Sequence, residues 1–396
     1  MLVTVLLVTD LLVTFGVMED ETPFSFGKIV SLPEFTDREK ETSWLEQHIQ
    51  AKNNCMLISP RRWGKSSLVQ HTASKIRKRH PDKIFCFIDL YNIRTEKEFY
   101  EAFSREIISA TTSNLEEIAK TVKVFFKNII PKISFSPDPS IDLDLSFNWD
   151  ELKKNPSEIL NLAETISKAK KKDLVICLDE FQNISFFEHS LAFQKKLRAH
   201  WQKHQNTVYC LYGSKRHLLM DFFTKPSMPF YKFGDIFFLE KIPETYWVPF
   251  IKERFESTRK TITEKQAAKI AQAMKNHPYF VQQLAQSVWL RTKKKCDDAV
   301  IENTVNDLLD QYTILYQKEV EQLTNPQLNF LKALVDGVEQ LSSSQTINQY
   351  QLGTSANIPR IKTALENKEL IDILGRQINF TDPMLELWLK RKYYIR

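Results

Sequence analysis

The chain has 396 residues, of which 42% are apolar and 26% are charged, a balance that is ordinary for a soluble protein with two or three domains. It contains only 8 glycines, which disfavours long loops and a β-rich architecture, so helix should dominate. The formal net charge of +6 permits an anionic partner without requiring one.

The five cysteines include no Cys-x-x-Cys pair and no histidine spacing suited to zinc. Four of them lie in apolar runs of strand length. We therefore expect buried thiols in a reducing compartment, and we predict a cytoplasmic protein.

Residues 1–17 are apolar apart from Asp10, and they lack a basic start and a small-residue cleavage site, so they make a poor signal peptide. An internal Asp also makes this segment marginal for crossing a hydrocarbon core of about 30 Å. The polar stretch that opens at Met18 looks like a natural beginning. We expect residues 1–17 to be dispensable, with a membrane anchor as the less favoured alternative.

A phosphate-binding loop (P-loop) is predicted where the apolar run 55–58 gives way to a helix. Its backbone N–H groups and the positive end of the helix would hold phosphate oxygens, Lys65 would reach the β and γ phosphates of ATP, and Ser66 would bind Mg²⁺. Ser59 stands where the full pattern has Gly, so it should either avoid a positive φ or carry about 1 kcal/mol or more of strain. The predicted cofactor-binding residues of the loop are Ser59, Pro60, Arg61, Arg62, Trp63, Gly64, Lys65, Ser66 and Ser67.

The residues after the loop continue an α/β pattern. The apolar run 84–90 predicts a second buried parallel strand. Thr95 and Glu98 form a capping box that should open a helix ending near Ala110. Another helix is predicted from Asn155 to Lys172.

Residues 111–150 are predicted to form an insertion in the ATPase core. An amphipathic helix carrying Phe125 and Phe126 precedes a proline-rich turn at 137–140, and the strict alternation of residues 141–147 predicts one strand of a half-exposed hairpin. Such an insertion could contact a protein partner, although a surface decoration is at least as well supported.

The apolar run 174–178 ends in Asp179 and Glu180, the pair that Mg²⁺-dependent ATP hydrolysis needs from a second strand. Asp179 would hold the metal through its water shell, and Glu180 would polarise the attacking water. The next strand, 208–213, ends at Ser214, the candidate γ-phosphate sensor. Arg216 is a candidate cation that would stabilise the charge of the transition state or contribute to a neighbouring subunit's site. That Arg216 lies in a solvated turn without such a role is equally well supported.

Several motifs together resemble the prokaryotic or archaeal-type ATPase family of the STAND branch, which are P-loop ATPases related to AAA+ proteins. The motifs are Phe-x-x-Arg (35–38), Pro-Arg-Arg-x-Gly-Lys-Ser (60–66), Leu-Asp-Glu (178–180), Gly-Ser (213–214) and Asn-His-Pro-Tyr-Phe (276–280). The resemblance implies a five-stranded parallel sheet, with the strand of Glu180 beside the P-loop strand, then a helical lid and a winged helix. It also implies that Arg38 lies near the adenine and that Pro278 closes over the nucleotide.

Three positions depart from the family pattern, because Ser59, Asp37 and His277 replace its glycines. We expect nucleotide binding to tolerate all three. The predicted domains are an ATPase core (18–243), a helical lid (244–322) and a winged helix (323–396).

The winged helix is predicted from a helix at 358–365 and a two-stranded wing at 370–380. Its cations Arg360 and Lys362 are offset by Glu366, which is a weak pattern for reading double-stranded DNA. Packing or protein interaction are the alternatives for this domain.

The sequence therefore predicts an ATP-binding, ATP-hydrolysing switch, in which the γ-phosphate biases the lid and winged helix between two arrangements. One alternative is a DNA-binding regulator with ATP as a structural ligand. Another is a non-catalytic scaffold that binds a protein partner. The sequence also leaves open whether the subunits of a homo-oligomer complete each other's sites.

Overall fold

The computed structural model describes residues 22–28, 35–129, 131–135 and 143–394. The predictions for residues 1–17 and for the 137–140 turn lie outside these ranges. Among the described helices, none combines the length and the apolar character that crossing a bilayer requires.

The first part of the chain alternates strands and helices. Its elements are, in chain order, α1 (Glu39–Gln50), β1 (Cys55–Ile58), α2 (Lys65–Arg79), β2 (Lys83–Asp89), α3 (Glu96–Thr111), α4 (Leu115–Phe125), β3 (Lys132–Phe135), β4 (Leu143–Ser146), α5 (Trp149–Lys154), α6 (Pro156–Leu160), α7 (Leu162–Lys170), β5 (Asp173–Asp179), a 3₁₀ helix (Phe181–Phe186), α8 (Ser190–Trp201), β6 (Thr207–Gly213), α9 (Arg216–Thr224) and β7 (Asp235–Phe238). The capping box at Thr95 is confirmed as the start of α3. The single helix predicted from Asn155 is instead two short ones, and the Asn155 side chain does not cap the first.

Five strands form one parallel sheet in the order β2-β5-β6-β1-β7, which confirms the predicted five-stranded parallel sheet. The implied neighbour relation is wrong, because β6 lies between the P-loop strand β1 and the Glu180 strand β5. Every residue of β6 is buried, as a central strand covered on both faces requires. The apolar run of β5 is almost as continuous, so the two sequences do not show which strand lies next to β1. The five cysteines of the chain are buried and free, as expected.

The parallel sheet also determines where the functional side chains meet. The strands β1, β5 and β6 are consecutive neighbours and point the same way, so their carboxyl ends lie at one edge. The P-loop leaves this edge after Ile58, Glu180 follows β5, and Ser214 follows β6. Ligands of parallel α/β sheets bind at this edge.

The predicted insertion packs onto the core as a helix and a hairpin. The strands β3 and β4 are antiparallel, and along β4 Leu143 and Leu145 are buried while Asp144 is exposed. This alternation confirms the predicted half-exposed strand within the described residues. Phe126 and Phe147 are also buried, with their ring centroids 5.6 Å apart.

The second part of the chain is helical apart from one hairpin. Its elements are α10 (Glu244–Glu256), α11 (Glu264–Ala273), α12 (Pro278–Arg291), α13 (Asp298–Glu321), α14 (Asn325–Val335), α15 (Ser344–Gln349), α16 (Asn357–Asn367), β8 (Ile371–Leu374), β9 (Gln377–Phe380), α17 (Pro383–Trp388) and a final π-helical turn (Leu389–Tyr393). The predicted helix at 358–365 and the two-stranded wing are confirmed as α16 and the β8–β9 hairpin.

One apolar cluster runs through both the lid helices and the winged helix. It joins, for example, Trp247 of α10, Leu284 of α12 and Trp388 of α17. Two other clusters lie on the sheet. The lid and the winged helix therefore share a core that is separate from the core of the ATPase sheet.

We expect Trp388→Ala to destabilise the shared lid and winged-helix core. Trp388 is 2% exposed, its ring lies 5.7 Å from that of Tyr316, and its Nε1 donates to Thr313 Oγ1 at 3.0 Å. Loss of a buried aromatic ring costs about 3–5 kcal/mol. Urea denaturation followed by far-ultraviolet circular dichroism measures this change in the free energy of unfolding.

The matched control is Leu290→Ala, because Leu290 is 59% exposed. Its free energy of unfolding should stay within about 0.5 kcal/mol of wild type. Equal losses in the two variants would contradict the shared core.

Candidate functional site

The loop between β1 and α2 turns tightly into the start of the helix. Gly64 precedes α2 with φ 87°, a left-handed conformation that glycine adopts without strain. Ser59 avoids a positive φ, one of the two predicted outcomes. Its Oγ donates to the Pro60 carbonyl at 3.1 Å. Within the loop 59–64, the non-glycine residue with a left-handed conformation is Arg62, with φ 62°.

Lys65 is a buried cation at the start of α2. Its Nζ donates to the Pro60 carbonyl at 3.2 Å. Burial lowers the pKa of Lys65, and the charges of Glu180 and Asp179 raise it. A buried ammonium is costly unless a counter-charge pairs with it. A phosphate would supply one more directly than the neutral carbonyl does.

Ser66 and Asp179 form the candidate metal site. Ser66 Oγ donates to Asp179 Oδ2 at 2.5 Å, and the Glu180 N–H donates to Asp179 Oδ1 at 2.8 Å. Burial raises the pKa of Asp179 to about 6, against the opposing effects of Ser66 and Lys65. A hydroxyl and a carboxylate in contact are hard oxygen donors, which fit Mg²⁺ together with substrate phosphates.

Glu180 is held at the rim of the loop in a strained conformation. Its φ is 50°, which costs a non-glycine residue about 1–3 kcal/mol and often marks a functional site. Its Oε2 accepts hydrogen bonds from Ser214 Oγ at 2.8 Å and from the Ser214 N–H at 3.4 Å. Gln182 Nε2 donates to the same oxygen. The predicted base and the predicted γ-phosphate sensor are therefore in direct contact.

Gly213 leaves the space that the Gln182 side chain occupies beside Glu180. A Cβ at Gly213 would collide with Oε1 of Gln182 and lie 3.3 Å from Cα of Glu180. Sequence reasoning missed Gln182, whose only signal is its position just after the acidic pair. An amide in that position is equally typical of a solvated turn.

A cleft of about 500 Å³ opens between the P-loop and the lid helix α12. Of the predicted site residues it is lined by Arg61, Arg62, Gly64, Lys65, Ser66, Ser67, Glu180, Ser214 and Pro278. Tyr279 and Gln282 of α12 also line it. The Arg62 guanidinium lies over the Tyr279 ring, 4.7 Å from its centroid.

The segment 25–28 forms another wall of the cleft, which sequence reasoning did not anticipate. Phe24 is buried in the lid cluster, with its ring 5.9 Å from that of Phe255. The Ser25 N–H donates to Gln282 Oε1 at 3.1 Å. The Phe26 ring meets the Tyr279 ring edge-on at 5.6 Å. The sequence did contain a signal for this packing, because the two aromatic residues lie in an otherwise polar stretch.

Arg38 lies outside the lining of the cleft and contacts the P-loop through a backbone carbonyl. Its guanidinium pairs with Glu41 at 2.8 Å and donates to the carbonyls of Glu240 at 2.7 Å and of Trp63 at 3.4 Å. Ser59, Pro60, Trp63 and Asp179 also lie outside the lining. Contact between Arg38 and adenine stays a prediction.

Three ion pairs, which we call the clasp, join the winged helix to the P-loop and to the residues after Ser214. Arg61 pairs with Glu369 at 3.0 Å, Lys215 with Glu369 at 3.5 Å, and Arg216 with Asp372 at 2.7 Å. The Arg216 pair is the most buried of the three. Arg216 therefore does not line the cleft, and its predicted catalytic role would require its pair with Asp372 to open.

The C-terminal part of the chain, residues 314–391, matches a family described as a "probable winged helix domain". No curated protein matches the chain.

The fold is similar to that of the Walker-type ATPase PABY2304 of Pyrococcus abyssi, with a TM-score of 0.64 over 93% of this chain and 99% of that chain, at 17% identity. It is also similar to the ORC2 protein of Aeropyrum pernix in its ADP form, with a TM-score of 0.53 over 96% of this chain and 100% of that chain, at 13% identity. Identities this low show a shared fold alone. The chain thus has the predicted P-loop ATPase fold with a helical region and a C-terminal winged helix, and the STAND branch stays a prediction.

The raised pKa of Asp179 predicts a pH-dependent metal site. Below about pH 6 the carboxyl is protonated, and Mg²⁺ must displace that proton. The affinity for Mg²⁺ in the presence of ADP should therefore fall up to about tenfold for each further unit of pH. Titration calorimetry between about pH 5 and 8 measures this affinity.

Asp179→Asn is the control, since the phosphates of ADP titrate equally in both proteins. The variant should bind Mg²⁺ weakly at every pH and show the smaller slope of the nucleotide alone. Identical pH slopes in the two proteins would contradict the placement of Asp179 at the metal.

Proposed function

We propose that this protein binds ATP with Mg²⁺ in the cleft, hydrolyses it, and uses the state of the nucleotide to control the clasp. The observation that carries the proposal is that two hydrogen-bonded pairs of side chains lie close to Lys65. These contacts are Ser66 with Asp179 and Glu180 with Ser214. They bring the candidate phosphate-binding lysine, metal ligands, base and sensor to one edge of the sheet.

Each residue of the candidate site would have one role in phosphoryl transfer to water. The loop N–H groups and Lys65 would hold the phosphates. Ser66 and Asp179 would hold Mg²⁺, which when bound supplies positive charge beside the β and γ phosphates. Glu180 would orient the attacking water and accept its proton. Ser214 would exchange its bond to Glu180 for one to the γ-phosphate, so arrival of the nucleotide would release the base.

The cleft also supports a place for the base of the nucleotide. Phe26 and Tyr279 provide apolar and aromatic surface at the end of the cleft formed by α12. Pro278 begins α12 at this wall. An adenine there would contact the lid and the segment 25–28, which follows Phe24 of the lid cluster. Nucleotide binding would thereby join the lid to the P-loop.

The switch would act on the clasp. The lid and winged helix share an apolar core, whereas the clasp joins the winged helix to the ATPase core through ion pairs. Arg61 lines the cleft and also pairs with Glu369, so a γ-phosphate would compete with Glu369 for the same cation. Ion pairs of this kind add little net stability, which makes two arrangements close in free energy.

Binding of double-stranded DNA is a second candidate function, favoured by the winged-helix match and by the exposed Arg360 of α16. The wing residues Leu374, Gln377 and Asn379 line a cavity of about 400 Å³ against Trp63 of the P-loop. The wing thus faces the ATPase core. Its entry into a DNA groove would have to follow the opening of the clasp.

Two substitutions separate binding from turnover. Lys65→Ala should weaken ATP binding by about 1.5–3 kcal/mol, or roughly tenfold to a hundredfold, because a charge-assisted phosphate contact is lost. Glu180→Gln should leave binding intact and lower turnover by about 10²-fold or more. Calorimetry with MgATP and a steady-state phosphate-release assay give the two readouts.

Glu188→Gln is the control, since Glu188 is an exposed acid outside the cleft. It should change neither binding nor turnover. Wild-type affinity in the Lys65→Ala protein would refute the site. Absence of nucleotide binding by the wild type would leave the scaffold alternative.

The clasp predicts a nucleotide-dependent exposure of the wing. Asp372→Asn leaves the Arg216 side chain, 8% exposed, without its carboxylate, and breaking such a pair costs about 3–5 kcal/mol. We expect faster amide hydrogen exchange in Ile371–Leu374. ATP bound to the Glu180→Gln protein should have the same effect relative to ADP.

The control is Glu264→Gln, which removes an ion pair with Lys252 on the surface of the lid. Exchange in the wing should not change in this variant. If ATP and ADP give the same exchange in Ile371–Leu374, the clasp does not respond to the nucleotide.

A further inference from the structure

Two exposed aromatic side chains line a cavity beside the nucleotide cleft. Tyr91 follows β2 and is 51% exposed, and Phe186 ends the 3₁₀ helix after β5 and is 56% exposed. They line one cavity of about 360 Å³. We call these two side chains the aromatic platform. Because β2 and β5 are neighbours in the sheet, the platform stands at the carboxyl ends of adjacent strands, where parallel sheets bind ligands.

The platform is held in place by a buried amide. Asn183 lies within the 3₁₀ helix that carries Phe186, and its Nδ2 donates to the carbonyls of Leu90 at 3.0 Å and of Tyr91 at 3.1 Å. The two strand ends are therefore bonded to each other through one side chain. Because the backbone that carries the two rings is fixed in this way, binding of a ligand does not have to order it.

Cations stand next to the rings. The Lys215 Nζ lies 5.5 Å from the centroid of the Phe186 ring. Arg94 also lines the cavity, and its guanidinium donates to the carbonyls of Tyr91 at 2.6 Å and of Ile93 at 3.2 Å. Within the described ranges Arg94 has no carboxylate partner for its side chain, so its charge is available to an anion.

The carboxylates of the cavity are already engaged. Glu180 accepts hydrogen bonds from Ser214 and Gln182. Glu369 pairs with Arg61 and Lys215. The cavity is thus lined by three cations, two satisfied carboxylates and two exposed rings, a combination that favours an anionic ligand with flat aromatic parts.

We propose that the aromatic platform binds single-stranded nucleic acid, with bases stacked on Tyr91 and Phe186 and with Arg94 and Lys215 on the backbone phosphates. Aromatic rings interleaved with cations are the two elements of sequence-tolerant single-strand binding. A duplex does not fit this description, because its base faces are covered by their neighbours. An acidic peptide would use the cations and leave the rings without a specific partner. The site differs from the winged helix in residues, position and ligand.

The test is the fluorescence anisotropy of a labelled oligothymidine, measured at low salt without nucleotide on the full chain. Tyr91→Ala and Phe186→Ala should each weaken binding by about tenfold, since one stacked base is lost in each. Arg94→Gln should weaken binding and reduce the slope of log affinity against log salt by about 0.7, the share of one phosphate on a single strand.

Tyr246→Ala is the matched control, because Tyr246 is 41% exposed on α10 and lies outside this cavity. It should bind like the wild type, and circular dichroism checks that each variant is folded. No oligothymidine binding by the wild type overturns the proposal, as does unchanged affinity in both aromatic variants.

Two further outcomes would also overturn it. One is that a polyglutamate peptide displaces the oligothymidine as well as unlabelled oligothymidine does, which would assign the platform to an acidic protein partner. The other is that Arg360→Ala abolishes binding while Tyr91→Ala does not, which would place the nucleic acid on the winged helix. Since no nucleotide is present, these results do not depend on ATP binding or hydrolysis.

Discussion

The candidate site depends on one constraint, the parallel order of β1, β6 and β5 in the sheet. Parallel neighbours end at the same edge, so the P-loop, Ser214 and Glu180 meet although they are far apart in the chain. The contacts at that edge involve charged groups, and Lys65 is buried there while Asp179 is half-buried. Each burial disfavours the charged form. An edge built in this way fits the proposed binding of a nucleotide with a metal.

Two kinds of packing divide the molecule. Apolar side chains join the lid, the winged helix and Phe24 in one cluster. Ion pairs of Glu369 and Asp372 join the winged helix to the ATPase core. Apolar packing over many side chains is difficult to open in part, whereas ion pairs can exchange partners with an anion. This division of the contacts fits the proposed switch, in which the ion pairs of the clasp open while the apolar cluster stays intact.

Local patterns were reliable where a few adjacent residues carry the signal. The capping box at Thr95, the alternation along β4 and the wing at β8–β9 were all predicted from short stretches. Contacts between residues far apart in the chain were not predicted. The place of β6 between β1 and β5, and the pairing of Arg216 with Asp372, depend on residues far apart in the chain. Gln182 also became a candidate only through its contact with Glu180.

The sequence by itself determined the types of residue at the site and the elements that carry them. The order of strand, loop, Lys65 and Ser66, and the apolar strand before Asp179, follow from local spacing and apolar periodicity. Only the tertiary structure decided which side chains share a cleft, that the segment after Phe24 forms one of its walls, and that the clasp holds Arg216 away from it. The physical reason is that strand neighbours and ion pairs between domains are chosen by the packing of the whole chain, which no short stretch encodes.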